Sequence, residues 1–148
     1  MTSWHPALVH YPIALVAVAA LFQLLSLIWP GRRFTLSALI ALGAGGLMAV
    51  AAAVTGTAQE EVVKALPGIA ETLQRHENLG TLSAVMMNAL ALGGLYLHLK
   101  EKLPASPFFV LLVLLSGLLI LAGHWGGLLV FQYGAGFQPP AAWPGIGP

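Results

Sequence analysis

Four stretches of this chain, residues 7–29, 34–58, 79–99 and 108–131, contain no Asp, Glu, Lys or Arg, so the six basic and five acidic side chains of its 148 residues all fall outside them. Each stretch is at least as long as the about 20 residues that a helix needs to cross a hydrocarbon layer about 30 Å thick. Lipid offers backbone N–H and C=O groups no partner, and a helix satisfies them internally. The pattern predicts an all-α membrane protein with a single domain over residues 1–148, folded as four transmembrane helices. Composition excludes the alternative: 58% of residues are hydrophobic and 7% charged, with mean hydropathy +0.86. A water-soluble domain has about 25% charged residues, and this chain lacks the polar surface to cover a core in water.

The first stretch exceeds the about 7 to 15 residues of a signal-peptide apolar region and no Lys or Arg precedes it, so it is expected to be retained. The chain has no cysteine, which excludes disulfides, thiolate metal sites, iron–sulfur clusters and covalently attached haem. Any cofactor has to be held by His, Met, carboxylate or backbone groups. A net charge of +1 supplies no basic field for nucleic acid.

The connections set the orientation. Arg32 and Arg33 separate the first two stretches, and Lys100 and Lys102 the last two, which puts both pairs on one side of the membrane. Short loops rich in Lys and Arg stay cytoplasmic. Both termini, the connection 59–78 and the tail 132–148 then face outward, away from the cytoplasm. That side carries Lys64 and Arg75 against Glu60, Glu61, Glu71 and Glu77. Pro30-Gly31 is expected to end the first helix, and Pro104 and Pro107 to bracket the last turn, giving an up-down-up-down bundle. In the outer connection Val62, Val63, Leu66, Ile69 and Leu73, interrupted by Pro67-Gly68, predict two short interfacial helical turns. The tail, broken by Pro139, Pro140, Pro144 and Pro148, is expected to run extended with Trp143 in the headgroup layer. No internal repeat is apparent.

Histidine placement marks one end of this bundle. With a rise of about 1.5 Å per residue, His10 falls about one turn inside the outer end of the first helix, His76 at the outer mouth of the third, and His124 about 10 Å below the outer boundary of the fourth. His5 precedes Pro6 at the outer surface. His98 stands alone at the inner end beside Lys100, where an interfacial role is expected. An ionisable group at the depth of His124 generally faces the bundle interior and a partner. Gly123, Gly126 and Gly127 strip side chains from around it, and Gly123 with Gly127 forms a small-xxx-small pair. Such a pair either packs two helices closely or leaves room for a flat macrocycle. Thr55, level with the histidines, either bonds a cofactor ligand or bonds back to its own helix. Pro12 fixes the start of the first helix beside His10. Met48, Met86 and Met87 read as core filler.

These residues resemble a known family. The opening His5-Pro6-Ala7-Leu8-Val9-His10-Tyr11-Pro12, then Thr55-Gly56, His76-Glu77-Asn78-Leu79-Gly80, and His124-Trp125-Gly126-Gly127-Leu128-Leu129-Val130 are similar to bacterial four-helix membrane proteins of the domain of unknown function 2231 type. The family opening is typically His-Pro-x-x-Val-His-Phe-Pro, from which Tyr11 departs. The resemblance covers nearly the whole chain and implies the fold and the importance of His5, His10, His76 and His124, without supplying a reaction.

Three function classes fit. The first is a b-type cytochrome-like electron-transfer protein or subunit holding one or two haem b groups between imidazoles near the outer face, exchanging electrons with a quinol or a periplasmic carrier. By depth, His10 pairs with His124 and His76 with His5, with Arg75 or Lys64 available to propionates. The second is a copper or zinc site closed by His5, His10, His76 and His124. The third is a cofactor-free structural or assembly subunit of a larger membrane complex, or a homo-oligomer. The chain has no mid-membrane carboxylate or basic residue to carry an ion, and no hydrolytic constellation, so no stand-alone enzyme activity is assigned.

Overall fold

The computed structural model describes residues 4–29, 33–58 and 60–136, with the side chains of 61 and 62 left aside. Six helices account for nearly all of it: α1 (His5–Leu8), α2 (His10–Ile28), α3 (Phe34–Thr57), α4 (Glu60–Lys64), α5 (Ala70–Leu99) and α6 (Ala105–Phe131). Four segments are long and apolar enough to cross a membrane: His5–Ile28, Phe34–Thr57, Ala70–Leu99 and Ala105–Phe131. This is a multi-pass membrane protein, and its surface bears that out, with Ile40, Leu47, Val54, Leu92, Leu114 and Ile120 all pointing outward and exposed. Such a belt of apolar side chains suits the hydrocarbon of a membrane.

The helices form a closed ring in which α2 packs on α3, α3 on α5, α5 on α6 and α6 back on α2. Contacts at the two ends show that the helices alternate in direction. At the end expected from the charge pattern to face outward, called the outer end, His5 meets α3 at Ala52 and His76 meets α6 at Ala122. At the other, the Gln23 amide donates to the Ala105 carbonyl at 3.1 Å, and Gly94 lies against Leu39 and Phe108. The core between them is built from small and medium residues, including Val16, Ala19, Ala38, Leu42, Met87, Leu112 and Leu115. Without a hydrophobic force between helices in lipid, close backbone approach and interhelical hydrogen bonds hold such a bundle. Asn88 supplies one of these bonds, donating to Gly46 O at 3.1 Å and to Ala84 O at 2.9 Å.

Two helix starts differ from the sequence reading. α5 begins at Ala70 rather than at residue 79, because the Glu71–Arg75 pair one turn apart stabilises a polar extension that charge-free stretches cannot reveal. α6 begins at Ala105 rather than at residue 108, with Pro107 in its first turn, where a missing N–H costs nothing. Pro12 accounts for the break between α1 and α2, since its ring displaces the carbonyl of Leu8, the last residue of α1. The outer connection folds as α4 and a turn through Gly68. Ile69 and Leu73 are buried there against Leu129, with Val63, Leu66 and Tyr133 around them, so this segment caps the α5–α6 end. Pro30-Gly31 and the tail from residue 137 onward, with its prolines and Trp143, lie outside the described residues.

Candidate functional site

The ring contact at the outer end is between His5 and His76, whose centroids are 6.3 Å apart with planes inclined by 86°. Each imidazole is tied down in the same way. The Nδ1–H of His5 donates to the Ala52 carbonyl at 2.8 Å, and that of His76 donates to the Ala122 carbonyl at 2.9 Å. A carbonyl can only accept, so each ring carries a proton on Nδ1, and the neutral form of each then keeps an Nε2 lone pair. That nitrogen has no hydrogen-bond partner among the described residues in either ring.

A glycine one turn beyond each carbonyl makes the contact possible. A Cβ at Gly56 would stand 3.0 Å from His5 Cε1, and one at Gly126 would stand 2.9 Å from His76 Cε1. A side chain at Gly126 would have to shift the ring, and one at Gly56 would push it by a few tenths of an ångström. Thr55 donates to its own helix at Ala51 O and Ala52 O, both at 2.9 Å, and its oxygen also lies 3.4 Å from His5 Nδ1. Thr55 thus bonds back to its own helix, and its oxygen also stands beside His5.

His10 and His124 are placed differently from the depth-based pairing. His10 is exposed, with Nδ1–H donating to Pro6 O at 2.6 Å within its own turn. His124 is exposed on α6, edge-on to Trp125 with centroids 5.7 Å apart. No ring contact joins them among the described residues. Depth gives a residue's height on a helix but not its azimuth, and the azimuth of both turns them outward. Gly123 and Gly127, expected to line the site, face open space, and it is Gly126 between them that receives a histidine ring. Arg75 is already engaged, donating to Glu71 Oε1 at 2.8 and 3.0 Å and lying 5.0 Å over the Trp125 ring, while Lys64 pairs with Glu60. His98 lines a separate inner pocket of about 270 Å³ with Thr35, Glu101, Leu103 and Ala105. No group of three or more His, Asp or Glu residues stands close enough to share an ion among the described residues.

What sequence reasoning missed is the carbonyl pair, Ala52 and Ala122. The signal available was Ala-x-x-x-Gly in both α3 and α6, lying 47 and 46 residues after the histidine that uses the carbonyl. The family model described as predicted membrane protein (DUF2231) matches residues 2–139, a span that contains every one of these groups. The chain belongs to that family. Among curated proteins and among solved structures nothing matches it.

Proposed function

We propose that this protein is a membrane-embedded, b-type cytochrome-like electron carrier whose haem is held by His5 and His76 near the periplasmic face of a bacterial inner membrane. The observation that carries the reading is the separation of the two rings. A metal–nitrogen bond of about 2 Å plus about 1.2 Å from nitrogen to ring centre, taken on both sides of one ion, gives about 6.4 Å for two imidazoles in line. The two ring centres stand 6.3 Å apart, close to that spacing. A tetrahedral ion would draw its ligand rings nearer and ask for two more ligands. An in-line pair suits haem iron or copper(I), and we take haem for the room beside the rings. Gly80, one turn inward of His76, has nothing within reach of a Cβ, which favours a macrocycle over a lone ion.

The bound haem would supply a one-electron couple. The residues supply the rest. Backbone carbonyls of Ala52 and Ala122 fix the proton on Nδ1 of each ring, raise the basicity of Nε2 and stop the rings turning. Placement at the outer end favours exchange with a quinol headgroup or a periplasmic carrier, and the small soluble surface suits a subunit of a larger complex or a homo-oligomer. To test the reading, the protein is purified from cells supplied with a haem precursor and its oxidised and reduced absorption spectra are recorded with a pyridine haemochrome assay. A Soret band with a sharp reduced α-band is expected, at about one haem per chain. Purified protein that is copper-loaded or colourless under these conditions sinks the proposal.

A further inference from the structure

The two histidine clasps match each other group for group. His5 opens the first helical hairpin, α1–α2 with α3, and reaches across to a carbonyl 47 residues on; His76 stands near the start of the second, α5 with α6, and reaches a carbonyl 46 residues on. The acceptor is an alanine each time, and a glycine follows it one turn later, with its absent Cβ 2.9 to 3.0 Å from the imidazole Cε1. In the ring of helices α2 packs on α3 and α6, and α5 packs on α6 and α3, so exchanging the two hairpins maps each helix onto its counterpart.

We infer that the chain is two equivalent half-sites, Ala52–Gly56 holding His5 and Ala122–Gly126 holding His76, which set both imidazoles as Nδ1–H tautomers with nearly perpendicular planes. Gly56 and Gly126 are positioning residues: they touch no cofactor and act through the rings they admit. This deepens the haem reading and rests on it for its spectroscopic arm alone. The angle of 86° has a consequence that a merely structural histidine pair would not have. The two iron orbitals that share the unpaired electron of low-spin iron(III) are split by parallel imidazole planes and left close in energy by perpendicular ones. Parallel planes give a rhombic electron paramagnetic resonance signal, and perpendicular planes give one dominated by a single large g value.

The test uses the full chain in detergent or lipid. Oxidised parent protein is expected to show the single large g feature. Gly56→Ala and Gly126→Ala should each convert it towards a rhombic signal and weaken haem retention about 10- to 100-fold, as loss of a group supporting a ligand does, and to a similar extent as each other. A second arm needs no substituted glycine and no haem. Nitrogen-15 spectra of histidine-labelled parent, in the reduced state if haem is bound and assigned with His5→Gln and His76→Gln, should show Nδ1 protonated in both residues and Nε2 without a proton, bare when no haem is bound and coordinated when it is. A rhombic parent signal or indifference of the signal to either glycine change overturns the inference and leaves the haem reading standing, whereas Nε2 protonation of either histidine overturns both, since such a ring has no lone pair for iron. A parent without haem whose His5 and His76 are both Nδ1–H tautomers supports the paired clasps and refutes the haem reading.

Discussion

Gly46 and Asn88 offer a quantitative check on the packing that carries the site. A Cβ at Gly46 would stand 2.7 Å from Asn88 Oδ1 and 3.0 Å from its Cγ, inside the range that real contacts allow, so Gly46→Ala must push the amide away. The displaced amide loses its 3.1 Å bond to the Gly46 carbonyl, which for an interhelical bond in a membrane is worth about 0.6 to 1.7 kcal/mol. Overpacking adds about 1 to 3 kcal/mol, and the better helix propensity of alanine returns up to about 1 kcal/mol. The net cost is about 2 kcal/mol. Asn88→Ala alone removes the same bond for about 1 kcal/mol but leaves room for the methyl group that Gly46→Ala introduces. The double variant is therefore expected to be more stable than the sum of the two single losses, by about 1 to 2 kcal/mol of coupling. Equilibrium unfolding of the four proteins in mixed detergent micelles, followed by circular dichroism, reads this directly. Additive losses would mean that Gly46 and Asn88 do not meet, and the register of α3 on α5 would be wrong.

Further outcomes follow from the same geometry. His98→Ala should leave cofactor content unchanged, because His98 lies in the inner pocket with Thr35 and Glu101, a membrane's width from His76; haem analysis of the variant checks it. Ile69→Ala, at a residue 1% exposed beneath the outer connection, should cost about 2 to 4 kcal/mol and raise proteolysis of residues 60–69, read by limited digestion. A reporter fused to the C-terminus should be active only in the periplasm, since Arg33, Lys100 and Lys102 stand at the opposite end of the bundle from His5 and His76.

The four helices were legible because lipid imposes one requirement, internally bonded apolar backbone of sufficient length, that charge-free stretches display residue by residue. Their starts were less legible: Ala70 begins α5 in a polar segment that becomes helical through local pairs such as Glu71 with Arg75. The gathering of four histidines at one end of the bundle was also readable from depth. The partner of each was not. His124 looked the strongest ligand by depth and by its glycine neighbours, yet it is exposed and it is Gly126 that faces an imidazole. Choosing between neighbours on one helix needs the azimuth that packing sets, and the hydrophobic pattern does not report it when every face of a membrane helix is apolar. The equivalence of the two halves escaped for a related reason, since a repeat carried by one histidine, one alanine carbonyl and one glycine leaves almost no trace in side-chain identity.

The most direct measurement of the central claim is haem content across the five single histidine-to-alanine variants, purified identically and compared by pyridine haemochrome. His5→Ala and His76→Ala should each abolish or convert the low-spin spectrum, and His10→Ala, His98→Ala and His124→Ala should retain it. Retention of a parent spectrum in His5→Ala or His76→Ala, or its loss in His10→Ala together with His124→Ala, would contradict the pairing of His5 with His76 as ligands.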